Sequence, residues 1–388
     1  MNSSLCSLQT IIKYQSPSVT VCSFIPANTN GLLNCYPNVA VRPFVLIDNT
    51  GQRIFITCTN SSGGIVPKYS TDGGATWTSS SMGTTISNCQ GVQDVVGNAS
   101  LSTILIFPSA YSTAQSMLPI VSKDYGVTFT QYTTTQVVGW NGGTSYPCWA
   151  GGVSDDGVYI TFCAFNDSSV YGLYRCTNGS STIANDRFTR LKSTESNIYG
   201  CTVSSTGQYQ VYCSGNSTVG NHVRSTDYGA TWTVMDSFNS ITQNYPKISD
   251  SSLIWSANGG YVSAAGQANC SNYYNGTTWV YNYGQTAWGS QYPNMNTNLD
   301  LIDMSSSGKL MVLACSSVYP SGSINNNGWM SINYGATWNA IQSTYFPTYT
   351  SGFSFGKVCC SKNGKYLCLL TQSSTYNGIF KIVLPSTN

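Results

Sequence analysis

The sequence predicts an all-β chain folded as one β-propeller, with seven blades of four antiparallel strands each. Three observations carry that prediction. The first is a signature, S-x-[DN]-x-G-x-T-[WF], written four times: Ser70 to Trp77 (STDGGATW), Ser122 to Phe129 (SKDYGVTF), Ser225 to Trp232 (STDYGATW) and Ser331 to Trp338 (SINYGATW). The second is a hairpin pattern that recurs seven times: an apolar strand, a small-polar turn ending in Gly, and a second apolar strand. Its spacing of roughly 50 residues is that of a radial or stacked repeat. The third is the lack of any sustained helical period beside this alternation.

The clearest hairpins are Val45–Cys58, Gly151–Cys163, Cys201–Cys213, Leu301–Cys315 and Val358–Leu370, with looser copies at Val92–Phe107 and Leu253–Gly266. Each turn is rich in Gly, Asn, Asp or Ser, the residues that join adjacent strands. A third strand follows, then the eight-residue signature or a relic of it, then a fourth strand. In the signature, Asp72, Asp124, Asp227 and Asn333 can fold back onto backbone N–H groups and hold a tight turn. Gly74, Gly126, Gly229 and Gly335 supply a positive φ. The Thr starts the next strand, and Trp77, Phe129, Trp232 and Trp338 each bring a large apolar face. Relics are read at Asn272–Trp279 (NYYNGTTW) and, with an expanded turn, at Cys176–Phe188.

The ends predict closure. The last unit stops at Gly378–Pro385, which aligns with a third strand, so the missing fourth strand is assigned to Ser7–Tyr14 or to Thr20–Phe24. Such a clasp leaves no unpaired sheet edge. The expected organisation is one domain over 1–388, with 1–35 as clasp and entry segment and 36–388 as blades.

Composition limits the functions. Charged residues make up 8% of the 388, against about 25% in an ordinary globular chain. Hydrophobic residues make up 41% and aromatics 13%, so the chain has the means to fold rather than stay disordered. A net charge of +2 gives no electrostatic footprint for nucleic acid. No apolar run is long enough to span a bilayer, so membrane insertion is not expected. The N-terminus MNSSLCSLQTIIKYQ has neither a basic leader nor a continuous apolar stretch and is no recognisable signal peptide. A neutral surface of hydroxyls and amides suits glycan contact or packing within a larger assembly. Sequons begin at Asn2, Asn60, Asn98, Asn166, Asn178, Asn216, Asn269 and Asn275, compatible with an extracellular or virion surface.

The chain has fifteen cysteines, and several share one strand position: Cys58, Cys163, Cys213, Cys315 and Cys368. They read as small buried hydrophobes or as halves of cross-strand disulfides, Cys201 with Cys213, Cys148 with Cys163, and Cys359 or Cys360 with Cys368. His222 is the only histidine and paired C-x-x-C motifs are absent, so neither a metal nor another cofactor is expected.

At its four signatures the chain resembles the Asp-box, or bacterial neuraminidase repeat, family of β-propellers found in sialidases and sortilin-type receptors. The resemblance implies that each box sits between the third and fourth strands of a blade, away from the ligand face. Ser70, Ser122, Ser225 and Ser331, with the other box residues, are then structural. A sialidase further requires three arginines gripping a carboxylate, an Asp acid/base and a Tyr nucleophile activated by Glu. By that resemblance the enzymatic alternative is an exo-glycosidase using Arg42, Asp94, Tyr199 and Glu195, the only glutamate.

The ligand face of a propeller is expected at the loops entering each innermost strand. Those loops carry Trp140, Tyr146, Trp149, Tyr199, Tyr245 and Asn298, rings and amides that suit sugars, pack between blades, or meet a protein. Asp94, Asp300 and Asp303 flank innermost strands, but Asp300 and Asp303 point to opposite faces unless a bulge intervenes. The function expected is a non-enzymatic recognition or structural module on a particle or cell surface, with a glycan or protein partner.

Overall fold

The computed structural model describes residues 18–21, 44–59, 65–82, 89–111, 118–140, 148–164, 172–179, 181–192, 198–215, 220–238, 244–248, 252–257, 278–282, 289–291, 299–315, 328–334, 337–345, 355–371 and 378–384. Within them the strands pair into seven sheets, numbered here in chain order, that make a single all-β propeller. The first sheet holds Val45–Ile47, Ile54–Thr59, Ile65–Ser70 and Thr78–Ser79, each paired with the next, innermost first. The second runs Cys89–Gly97, Ile104–Tyr111, Ile120–Ser122 and Thr128–Gln131, and the third Cys148–Val153, Ile160–Ala164, Gly172–Cys176 and Phe188–Lys192. Each of these two gains a short parallel outer strand, Ser81–Met82 and Val137–Val138. The fourth holds Ile198–Val203, Gln210–Gly215, Gly220–Ser225 and Thr233–Phe238. The fifth holds Asn244–Ile248, Ser252–Ala257, Thr278–Asn282 and Gly289–Gln291, and the sixth Leu299–Met304, Met311–Cys315, Gly328–Ser331 and Asn339–Ala340.

The seventh sheet is made from both ends of the chain. Phe355–Cys360, Tyr366–Thr371 and Gly378–Val383 supply three strands, and Ser18–Val21 pairs antiparallel with the last of them, Ser18 facing Val383 and Val21 facing Phe380. The clasp thus lies between the two segments the sequence offered, overlapping the second by two residues; Ser7–Tyr14 lies outside the described residues. A second tie joins the seventh sheet to the first. Asn363 donates from its backbone N to Asn49 Oδ1 and from Nδ2 to Asn49 O, both at 2.8 Å, and Lys381 Nζ reaches Gly51 O and Gly73 O. One apolar cluster spans the same junction, joining Val45, Ile47, Ile54 and Ile56 to Cys359, Cys368, Leu370 and Ile379.

The fifth unit departs from the sequence reading. Ser252–Ala257 is its second strand, paired with Asn244–Ile248, so the hairpin expected over Leu253–Gly266 was placed one strand too late. Trp279 lies in the third strand, opposite Trp255, so the relic NYYNGTTW precedes that strand instead of following it. The expanded relic at Cys176–Phe188 does join a third strand to a fourth, through a 3-10 turn at Ile183–Asn185.

The inner hairpin turns follow one rule. A buried Asp, Asn or Ser ends the innermost strand and accepts a hydrogen bond from the backbone N–H five residues on. Arg53 N bonds Asp48 Oδ1, Thr103 N bonds Asn98 Oδ1, and Tyr159, Tyr209, Leu310 and Tyr366 N bond Ser154, Ser204, Ser305 and Ser361 Oγ, all at 2.9–3.2 Å. Asn98 is therefore committed to its turn at 3% exposure, and its sequon cannot carry a glycan there. Neighbouring turns bond each other, as in Asn49 N to Ala99 O, Asp155 N to Ser205 O and Ser306 N to Lys362 O.

The four boxes sit between third and fourth strands, at the same end as the inner turns. In each, the buried Ser donates to the Asp or Asn side chain (2.7–2.9 Å), and the Thr N–H two residues beyond the box Gly donates to the same oxygen (2.8–2.9 Å). In three of them the Thr hydroxyl donates to the second carboxylate oxygen at 2.6 Å. Asn333 has no second carboxylate oxygen and donates instead from Nδ2 to Thr337 Oγ1. In the three boxes whose Gly is described, the Ser Oγ also accepts the Gly N–H at 2.8–2.9 Å and centres the turn, a task not evident from the sequence.

The residue before the box Gly also lies at positive φ: Gly73, Tyr125, Tyr228 and Tyr334 at 70°, 65°, 59° and 59°. A Tyr held there is disfavoured by its Cβ, and in two boxes the preceding sheet offsets this. Arg53 stacks over Tyr125 at 4.2 Å. Tyr159 packs on Tyr228 with centroids 5.2 Å apart, and Arg175 Nη1 donates to Tyr228 O. The boxes are thus the places where one sheet docks on the next.

The box carboxylates predict an acid-sensitive scaffold. Thr76 above all, with Ser70, holds the Asp72 carboxyl at about 2, down from 3.8, and Thr231 with Ser225 does the same for Asp227, also at about 2. Burial pushes the Asp124 carboxyl up, but the bonds from Thr128 and Ser122 outweigh it and leave it below the ordinary value. A depressed folded pKa contributes stability that is complete above the unfolded value, near pH 4, and is lost as pH falls toward about 2. Thermal unfolding followed by circular dichroism should show a steep fall in midpoint across that window. The fall should be shallower when Asp72, Asp124 and Asp227 are all Asn, as Asn333 already is.

Candidate functional site

The innermost strands converge on a central opening of about 590 Å³, a volume that includes space open to solvent. Six sheets contribute its described lining: Leu46 and Ile47; Val95 to Asn98, with Leu101; Gly152 and Val153; Thr202 and Val203; Asp303 and Met304; Cys359, Cys360 and Lys362. Glycines let the strands come this close. A Cβ on Gly152 would stand 2.5 Å from Val203 N and 2.9 Å from Thr202 Cα. These residues end their strands, so the described opening lies at the box end of the molecule.

Its described lining carries two charged residues, Asp303 and Lys362. Asp303 Oδ2 accepts the N–H of Cys360 from the next sheet at 2.9 Å, so its carboxylate pins two innermost strands together. Asp94 is buried at 6% exposure, and its Oδ1 accepts Val95 N at 2.9 Å. Below the opening, Ser306 Oγ donates to Asp155 Oδ2 at 2.5 Å, joining the inner turns of the third and sixth sheets. No group of three His, Cys, Asp or Glu able to hold a metal occurs among the described residues.

The described residues include only some of those expected to form a site. Arg42, Glu195, Tyr146, Asn298 and Gly335 lie outside the described residues. The described arginines Arg53, Arg175 and Arg187 are bound to rings or carbonyls of outer turns: Arg53 over Tyr125, Arg175 on Tyr228 O, Arg187 on Ala184 O and Asp186 O. No arginine is in the described lining of the opening. Trp140, expected in an open ligand loop, is 9% exposed and packs in the core between the second and third sheets, its ring 5.7 Å from that of Tyr174. Tyr245 lies inside an innermost strand, opposite Ser256, and so is not a loop residue.

Trp149 and Tyr199 have a placement that the sequence did not reveal. Each is the extra residue of a β-bulge at the start of its innermost strand, between Cys148 and Ala150 and between Ile198 and Gly200. Gln90, Asp300 and Gly356 occupy the same position in their own sheets. Five of the seven innermost strands therefore enter through an irregularity, at the end opposite the boxes. Bulges re-aim a strand and gather near functional rims.

The same bulges account for the cysteines. They offset Cys148 to face Ala164 and Cys163 to face Ala150, and they leave Cys201 facing Tyr212 and Cys213 facing Gly200. Neither proposed pair is in register, and a one-residue offset sends the two side chains to opposite faces. Cys359 does face Cys368. Cys148, Cys163, Cys176, Cys201, Cys359, Cys360 and Cys368 are buried free thiols, and Cys213 is buried as well. Burial pushes the Cys148, Cys201, Cys359 and Cys360 thiols well above their ordinary range, which suits packing more than chemistry.

No family model matches the chain, and no curated protein matches it in sequence. Solved structures match it in fold. A GH74 enzyme from Niastella koreensis aligns with a TM-score of 0.56 at 16% identity, over 89% of this chain and 53% of that one. The chain thus spans about half the length of that enzyme. An oligogalacturonate lyase in complex with manganese aligns at 0.55 and 8% identity, over 96% of this chain and 98% of that one. A chain of the mitotic checkpoint complex aligns at 0.55 and 9% identity over the full length of both. At such identities the likeness shows the β-propeller fold alone.

Proposed function

We propose that this chain is an Asp-box propeller of seven blades that acts as a non-enzymatic recognition or structural module, on a virus particle or outside the cell. In this reading the fifth sheet stands as a full blade beside the six that carry the described core. The partner is a glycan or another protein, met by the loops entering the innermost strands. One observation carries the reading: the groups that look chemical in sequence are spent on scaffold. Asp72, Asp124 and Asp227 each hold a turn, Asp303 pins a neighbouring strand, and Arg53 and Arg175 dock sheets on boxes. What is left at the opposite end is a set of bulged entries carrying Gln90, Trp149, Tyr199 and Asp300, residue types that stack on sugar rings or read hydroxyls.

The enzymatic alternative, a sialidase-like exo-glycosidase, draws on Arg42, Asp94, Tyr199 and Glu195. Of these, Asp94 is buried with one oxygen on a backbone N–H, which is a poor start for an acid/base. A glycan array run beside a fluorogenic sialoside assay decides between the two. Binding without turnover supports the module, and turnover that disappears in Arg42→Ala overturns it.

A further inference from the structure

The junction between the second and third sheets holds donors that have nothing to donate to. Arg190 lies on the fourth strand of the third sheet opposite Tyr174, so the two side chains share one face. Trp140 packs on the same Tyr174 ring, and its neighbour Gly139 lies against Arg190, whose Cβ and Cδ stand 3.7 Å from the place a Gly139 Cβ would take. Arg190 Nε, Arg190 Nη2 and Trp140 Nε1 are all shut off from solvent, and none has an acceptor among the described residues. The Tyr174 hydroxyl is turned to Gly139 O at 3.4 Å. Asp186, four residues from Arg190, is held by Lys123 and Tyr132.

Buried donors are normally satisfied, and a buried cationic donor left unpaired is the most costly kind. Nε and Nη2 form the edge of a guanidinium that grips two oxygens side by side. The Trp140 indole, which shares Tyr174 as a neighbour with Arg190, offers a third donor and no acceptor of its own.

We propose that Arg190 and Trp140 form an oxyanion-binding site between the second and third sheets. Two oxygens of the anion lie along the Arg190 Nε–Nη2 edge and accept a further hydrogen bond from Trp140 Nε1. The ligand class is a carboxylate, sulfate or phosphate group, free or carried on a larger molecule. The site is independent of any partner at the loops entering the innermost strands.

The test uses the full chain labelled with ¹⁵N, titrated with sodium acetate, sulfate or phosphate, and with sodium chloride at matched ionic strength. The Trp140 indole resonance is identified by its loss in Trp140→Phe. A saturable shift of that resonance with at least one oxyanion, absent with chloride, is the expected result, and the anion that saturates first names the group. In Arg190→Lys, which keeps the charge but loses the side-on edge, affinity should fall about tenfold or more, as expected for one lost charge-assisted bond. Equal responses to chloride and all three oxyanions in the unmodified protein would overturn the site whether or not either variant folds. So would an Arg190→Lys protein that binds as the parent does.

Discussion

Replacing Asp186 with alanine is expected to lower the free energy of unfolding by about 3–5 kcal/mol, the usual cost of removing one half of a buried ion pair. Asp186 Oδ2 lies 3.2 Å from Lys123 Nζ, with the two side chains 0% and 6% exposed, and it accepts a 2.7 Å bond from the Tyr132 hydroxyl. Burial, together with the charge and hydrogen bond of Asp186, pushes the Tyr132 hydroxyl well above its ordinary value, so it stays a donor. The alanine would strand a buried ammonium that has no hydrogen-bond acceptor and a buried phenol at the junction of the second and third sheets. Urea unfolding of Asp186→Ala measures the loss. The double variant Lys123→Met/Asp186→Leu should recover most of it, because an apolar pair of similar volume carries no desolvation cost. A loss under about 1 kcal/mol in the single variant, the range of a surface pair, would mean that the charges are solvated.

The second large effect is expected at Phe162, where alanine should cost about 3–5 kcal/mol. Its ring is fully buried, stacked on Tyr174 at 5.0 Å, edge-on to Phe188 at 5.1 Å and 6.4 Å from Phe107 of the second sheet. A Cβ on Gly151 would stand 2.3 Å from Phe107 Cζ, so the Phe107 ring already lies directly on the Gly151 backbone and has little room to move into the space left. Phe162→Leu, which keeps most of the volume, should cost under about 1.5 kcal/mol. Equal losses in the two variants, read from urea midpoints at constant m, would show that packing around the ring is not what the site supplies.

What could be read from the sequence was what is local. The boxes and inner hairpins were legible because turn chemistry repeats within eight to fifteen residues: Asp227 bonds Thr231, and Ser204 bonds Tyr209. The fifth unit was misread by one strand because NYPKI is followed by SDS, three polar residues without Gly, and LIWSANGG looks more like a hairpin start. Bulges leave no signature in residue type. One inserted residue at Trp149 and one at Tyr199 shift the register and undo the Cys148–Cys163 and Cys201–Cys213 pairings.

The tasks of Ser70, Ser122, Ser225 and Ser331 were missed because a Ser beside an Asp reads as ordinary turn composition. Tyr125 and Tyr228 were missed because the partners that hold them at positive φ, Arg53 and Tyr159, come from another unit. Trp140 was placed in a ligand loop on aromatic content, and it belongs to an interface between sheets.

We propose that the boxes build the ring while recognition resides at the other end of the strands. This is tested most directly by changing Asp72, Asp124, Asp227 and Asn333 to alanine together and measuring thermal unfolding beside the glycan-array profile. The expected result is a lower unfolding midpoint and, at temperatures where the protein stays folded by near-UV circular dichroism, a profile the same as the parent's. A profile lost or rewritten in a protein that keeps its parent fold would place recognition at the boxes and contradict it.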